Sequence, residues 1–349
     1  MRIAQVAPLY ESVPPKYYGG TERVVSYLTE ELVKQGHDVT LFASGDSVTS
    51  AKLVPCSPRS LRLDRHCIDQ LAHHILMLER VFERADEFDI VHFHIDYLHF
   101  PLSRRYLNTQ ITTLHGRLDI PDLQPLYRNF DDMPVVSISD SQREPLPWIN
   151  WKATIYHGLP PDLFHFHPEP GSYFAFLGRI SPEKRVDRAI DIARRVGIPL
   201  KIAAKIGDID KEYFKTVVEP LLPEPFVEYI GEVGDREKEE FLGKAYALLF
   251  PIDWPEPFGL VMIEAMACGT PVIAYRHGSV PEVMEEGKTG FIVTNLKEAV
   301  EAAKRVSELS RRRCREVFEQ RFTAGRMASD YYRAYESLVN SLAAASGGS

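Results

Sequence analysis

Cysteine is scarce in this sequence: four in 349 residues, Cys56, Cys67, Cys268 and Cys314, with no CxxC spacing. That pattern offers neither a disulfide framework nor a zinc site, and it suits reduced thiols in the cytoplasm. Long apolar runs are missing too. None approaches the ~20 residues needed to span a bilayer, and "MRIAQVAPLYE" starts directly on a strand, without the pattern of a secretory leader. Positive charge is outnumbered, with 41 Lys and Arg against 49 Asp and Glu and a formal net charge of −8. A general nucleic-acid binder needs a basic surface, so that class is excluded, while a local basic pocket for one anionic ligand is not. The remainder is ordinary soluble composition, 44% hydrophobic and 26% charged. The length is about twice that of a usual domain and predicts two.

What is present is a rhythm. "RIAQVAPLY", "HDVTLFAS", "DIVHFH" (89–94), "QITTLHG" (110–116), "PVVSIS" (134–139) and "WKATIYHG" (151–158) read as strands. A helix from Thr21 to about Gln35 is stopped by Gly36. The Pro- and His-rich stretch "LPPDLFHFHPEPG" (159–171) interrupts the pattern as a linker would. The rhythm then resumes with strands "YFAFLG", "PLKIAAKI", "VEYIGEV", "YALLFPI", "PVIAY" and "GFIVT", and helices "KRVDRAIDIARRVG" and "REKEEFLGKA". Further helices run from Leu296 to Leu309 and from Arg311 onward. In the last, Tyr332, Tyr335, Leu338 and Leu342 share a face and predict packing back on the body. Strands alternating with helices imply parallel β-α-β units, so the fold class is α/β with two Rossmann-like parallel-sheet domains. The expected boundaries are 1–160, a linker at 161–171, 172–320, a helix over 321–342 and a flexible tail at 343–349. Ligands of such sheets bind outside the carboxyl ends of the strands, and two sheets facing each other would form an interdomain cleft.

One segment stands out: "EPFGLVMIEAMACGTPVIA" (256–274), with Glu256 and Glu264 separated by seven residues. From Gly259 to Cys268 it is apolar nearly all round, which reads as a buried helix ended by Gly269 and Pro271. Glu264 is then a carboxylate inside a buried helix, costly unless something hydrogen-bonds to it. An Arg or Lys partner elsewhere is one answer, and a ligand is the other. Glu256 sits on a loop stiffened by Pro255 and Pro257. The first-turn N–H groups near Phe258, Gly259 and Leu260 suit an anion. Two carboxylates flanking an anion site fit a polyhydroxylated, phosphorylated ligand.

Together with "YYGGTERVV", "LHG", "FLGRISPEKRVDRAI" and "GEV", this segment resembles the retaining glycosyltransferases of family 4, which have the GT-B fold. The resemblance covers nearly the whole chain. It implies hexosyl transfer from a nucleotide sugar to a hydroxyl acceptor, with UDP-glucose as the first donor and GDP-mannose as the next. It also implies that Arg179 and Lys184 meet the diphosphate in place of a metal, so no metal and no cofactor is expected. Glu264 would accept from the ribose hydroxyls, and Glu256 would hold the transferred sugar with N–H groups of Phe258, Gly259 and Leu260. Gly231, Glu232 and Val233 would meet the base through their backbone. Gly19, Gly20 and Thr21 would let the backbone approach the diphosphate or sugar, and His115 would contact the sugar near the reacting carbon. The terminal helix would cross back to the first domain. The acceptor, a saccharide, small molecule or lipid, is left open. "YESVPPKYYGG" and residues 117–131 are the stretches in which to seek it.

Weaker signals compete. "DID" (208–210) has the spacing of a metal-binding DxD, His92 and His94 share a strand face as a metal pair would, and Arg59, Arg62 and Arg65 could line one helix face. The last is more often a solvated surface, but it would suit an anionic lipid and keeps peripheral membrane contact open. A sugar-nucleotide epimerase or phosphorylase of the same fold, and a non-catalytic sugar-nucleotide-binding protein, stand as alternatives.

Overall fold

The structure, a computed structural model, describes residues 1–16, 19–106 and 109–346. Tyr17 and Tyr18 of the acceptor stretch, the side chain of Leu342 and tail residues 347–349 lie outside the described residues. The chain forms two compact units: Met1–Gly158 with the residues from Ala324 on, and Leu159–Thr323. No helix among the described residues is long and apolar enough to cross a membrane.

The first unit is built on seven strands: β1 (Arg2–Val6), β2 (Asp38–Ser44), β3 (Lys52–Ser57), β4 (Ile90–Phe93), β5 (Gln110–Thr113), β6 (Val135–Ser137) and β7 (Trp151–Thr154). All pair in parallel, in the order β3-β2-β1-β4-β5-β6-β7. The central strands are buried on both faces, which is why they read as unbroken apolar runs. Strand β3 was not expected, because Pro55 interrupts it. A proline lacks the ladder donor and is tolerated on an edge, and β3 is an edge strand.

The second unit carries β8 (Tyr173–Ile180), β9 (Leu200–Ile206), β10 (Val227–Gly231), β11 (Ala245–Phe250), β12 (Val272–Tyr275) and β13 (Gly290–Val293). The order is β10-β9-β8-β11-β12-β13, again all parallel. Sequence order reverses between β1 and β4 in one sheet and between β8 and β11 in the other. Such reversals leave a crevice at the carboxyl ends of the flanking strands.

Four expectations are corrected. The stretch 159–171 is built into the second unit. Leu159 bridges Thr323, Phe164 is 1% exposed, and Arg315 donates to the carbonyls of Pro161 and Phe164. Residues 59–69 form turns and no helix, because their backbone bonds outward: Leu61 and Arg62 donate to the carbonyls of Leu9 and Tyr10. Lys184 precedes its helix, which runs Val186–Val196 after Arg185 takes a left-handed conformation at φ 54°. The terminal region is two helices, Arg311–Arg321 and Ala324–Ser346, and the second packs through Tyr331 and Tyr335, both fully buried, with Tyr332 stacked at the rim on His37. Tyr335 and Tyr332 of the expected face therefore pack on the body, and Tyr331 joins Tyr335 in the core.

Candidate active site

In the second unit the reversal point is occupied by the loop after β11. Its shape is fixed from three sides. Asp253 donates its N–H to the Glu183 carbonyl, and its carboxylate accepts from Arg185 and Arg188, both at 2.9 Å. Further along, the Glu256 carbonyl accepts from the Ser279 N–H at 3.0 Å and the Phe258 carbonyl from the Ser279 hydroxyl at 2.8 Å. Gly278, at φ 54°, lies so close that a Cβ there would stand 2.4 Å from the Glu256 nitrogen. The loop then enters the helix Leu260–Cys268 through Gly259 at φ 78°. Every residue of that helix from Met262 to Cys268 is buried, and Gly269 ends it at φ 83°.

On this braced loop Glu256 is paired with Lys184, and Trp254 Nε1 donates to the same carboxylate at 3.1 Å. The side chains of the pair are 18% and 11% exposed, and the ammonium stands 5.0 Å from the Trp254 ring centre. A desolvated pair feels a stronger mutual field than a surface pair. Arg179, on β8, meets Glu183 at 2.5 Å and Asp210 at 3.4 Å. The two carboxylates of "DID" thus serve different cations, since Asp208 pairs with Lys211. No group of three or more His, Cys, Asp or Glu is set to hold a metal among the described residues.

Glu264 has found a protein partner: Lys238 Nζ at 2.8 Å, with side chains 6% and 12% exposed. The sequence had left this answer open, but Lys238 itself lies among charged surface-helix residues and had not been singled out. Gly231 ends β10 at φ 79° after a register shift, followed by exposed Glu232 and half-buried Val233. Gly278, Trp254, Asp253 and Ser279 were also missed. Only Trp254 carried a visible signal, being next to the Pro-Glu-Pro turn.

The first unit holds the other candidates. Gly20 opens the helix Gly20–Lys34, with Gly19 before it and Thr21 in its first turn. A Cβ on Gly19 would come within 2.8 Å of Pro15, so here the missing side chain makes room for the chain's own loop. His115 follows β5 and joins a set of imidazoles. Its Nε2 lies 2.9 Å from His94 Nδ1, and its ring stacks on His157 with centres 5.4 Å apart. His94 Nε2 is 2.8 Å from Gln5 Oε1. His92 spans Tyr335 and Thr113, each at 2.7 Å, and Thr113 reaches Tyr331 at 2.8 Å. Both ring nitrogens of His92 and of His94 are therefore engaged by protein, and the two histidines form a hydrogen-bonded core element. Burial holds His92, His94 and His157 well below the usual imidazole range and brings His115 down to about 3. Asp96, at φ 49°, accepts from the backbone of His115, and burial raises its carboxyl to about 6.

Comparisons with known proteins agree with this architecture. Residues 164–321 match the family profile of glycosyl transferases group 1, and residues 18–133 match that of glycosyltransferase family 4. Some curated relatives match over less than half of their own length and others over nearly all of it. N-acetyl-alpha-D-glucosaminyl L-malate synthase of Bacillus anthracis is 25% identical over 361 residues, covering 92% of this chain and 94% of that one. Among solved structures, AviGT4, a glycosyltransferase involved in avilamycin A biosynthesis, superposes with a TM-score of 0.76 at 23% identity over 98% of both chains. Anabaena HepE in complex with UDP and glucose gives 0.74 at 18% identity, over 97% of this chain and all of that one. At such identities the structural likeness speaks for the fold alone. With the two family profiles falling on the two units, the chain is a glycosyltransferase: it belongs to glycosyltransferase family 4, and its two parallel-sheet α/β domains are those of the GT-B fold.

Proposed function

We propose that this enzyme moves a hexosyl group from a nucleotide sugar to a hydroxyl acceptor with retention of configuration, in the cytoplasm and without a metal. UDP-glucose is the favoured donor and GDP-mannose the next; the acceptor is a saccharide, a small molecule or a lipid. The observation that carries the reading is the desolvated Lys184–Glu256 couple on its braced loop, at the reversal point of the second sheet. Negative charge builds on the departing phosphate in such a transfer, and fixed cations and N–H dipoles lower its barrier. Lys184 supplies a compact charge there, Arg179 a planar fork, and the start of the helix Leu260–Cys268 its N–H groups. A donor phosphate would take over Lys184 and free Glu256 for sugar hydroxyls.

Relatives support the donor class. HepE has been solved in complex with UDP-glucose, and the synthase from Bacillus anthracis is named for an alpha-linked product. Transfer from an alpha-linked donor to an alpha-linked product is retention. No carboxylate of this chain is assigned as nucleophile, so a same-face displacement is favoured, with the leaving phosphate taking the acceptor's proton. A glycosyl-enzyme adduct trapped by mass spectrometry would contradict it.

Thermal unfolding with UDP, GDP and ADP, each with and without EDTA, tests the donor. Ligand at ~100 times its Kd adds about 2.7 kcal/mol to the native state. A selective shift that survives EDTA is expected for one nucleotide, UDP first. A shift requiring metal, or none with any nucleotide, would overturn the roles given to Arg179 and Lys184.

A further inference from the structure

We propose that Gln5 and His94 form a directional hydrogen-bond relay holding His115 as its Nε2–H tautomer, so that Nδ1 of His115 accepts a hydrogen bond from a sugar hydroxyl. The sugar in this statement rests on the function proposed above; the relay does not. Gln5 is fully buried on β1, in register with His92 on β4. Its amide nitrogen donates to the Tyr335 hydroxyl at 3.1 Å, which turns Oε1 toward His94. A carbonyl oxygen only accepts, so His94 Nε2 must carry the proton. Neutral imidazole has one N–H, so His94 Nδ1 is a bare acceptor, and the atom facing it at 2.9 Å, His115 Nε2, is the donor. His115 is then left with a lone pair on Nδ1.

That atom has no partner among the described residues, and the residue is partly exposed at the carboxyl end of β5. The second branch is consistent with the same direction: Tyr335 donates to His92 Nδ1, His92 Nε2 to Thr113, and Thr113 to Tyr331. Burial keeps these rings neutral and brings His115 down to about 3. A group so weakly basic is a poor general base at neutral pH, but it remains a good hydrogen-bond acceptor for a hydroxyl. His115 is therefore the residue that touches substrate, and Gln5 and His94 are positioning residues behind it.

The relay is read directly by nitrogen NMR of the full-length chain with 15N-labelled histidine, in wild type, Gln5→Leu and Gln5→Glu. Wild-type His115 is expected to show a bare Nδ1 and a protonated Nε2. Gln5→Glu keeps an acceptor facing His94 and should leave that pattern unchanged, whereas Gln5→Leu should mix the two tautomers. A proton on Nδ1 in wild type, or one that moves from Nδ1 to Nε2 in Gln5→Glu, would mean the amide is turned over and would overturn the relay. The second readout is transfer. With the donor identified by the nucleotide test, Gln5→Leu is expected to lower kcat/KM about tenfold, the worth of one hydrogen bond. Affinity for the free nucleotide should be unaffected, and Gln5→Glu should restore the rate. If Gln5→Leu fails to fold, Gln5→Glu carries both tests alone. A correct tautomer whose Nδ1 resonance ignores added nucleotide sugar overturns the sugar contact. Absence of transfer from every donor, with the tautomer as expected, would remove the proposed function and leave the relay standing.

Discussion

At the scale of single residues, the two glutamates that drew attention in the sequence have different surroundings and should fail differently. Glu256 meets Lys184 and Trp254 on a loop, and its replacement by alanine should abolish transfer while nucleotide binding largely survives. Glu264→Ala should weaken nucleotide binding itself, measured by calorimetry with the free nucleotide. Lys238 sharpens the test, because it holds Glu264 from within the protein. Lys238→Met leaves a buried carboxylate unpaired, which costs about 3 kcal/mol, yet it should not lower nucleotide affinity if the ribose is the true partner of Glu264. Loss of stability in both variants with unchanged affinity would reduce Glu264 to a counter-ion of Lys238. The spacing of the glutamates was visible in the sequence because a charge in an apolar helix is conspicuous. Lys238 was not, since a lysine among glutamates on a helix looks like any solvated face until the fold turns it inward.

At the scale of elements, the loop after β11 works through its neighbours. The turn before the helix Val280–Val283 carries Gly278 against the backbone of Glu256. Gly278→Ala would need φ 54° and would drive a Cβ into that backbone, so a loss of about 1–3 kcal/mol is expected along with most transfer activity. A variant with wild-type kcat/KM would show that Glu256 is not held from this side. Strands and their order of appearance were legible because parallel strands buried on both faces are continuous apolar runs. β3 was hidden by Pro55, and the turns at 59–69 by arginines spaced as on a helix. The brace was hidden as well, because Asp253, Arg185, Arg188 and Ser279 come from three separate segments and only the fold brings them together.

At the scale of the whole molecule, the two units should respond differently to acid. His92, His94, His99 and His157 are buried in the first unit and His115 is partly exposed, and desolvation holds each below the usual imidazole range. Unfolded imidazoles take up protons below about pH 6.5, while the folded ones do not until far lower, about 3 for His115. The stability these rings contribute is therefore complete above pH 6.5 and drains as pH falls, each adding up to about 1.4 kcal/mol per unit. Asp96, raised to about 6, and Glu22, also raised by desolvation, run the other way. Hydrogen exchange at pH 7.5 and 5.5 should show the first unit losing protection while peptides of Leu159–Thr323 keep theirs; equal loss in both would contradict the assignment. The same unit is assembled from two distant stretches of chain, with Tyr331 and Tyr335 reaching Thr113 and His92 from a helix that follows the entire second unit. On a ribosome, that helix emerges roughly 8–30 s after Gly158 has been added. For that interval the nascent first sheet waits with three buried polar groups, on Gln5, His92 and Thr113, lacking their hydroxyl partners, while the second sheet is being completed. Translation that stops near Thr323 would release a polypeptide with one finished half and one held open, a substrate for chaperones and proteases.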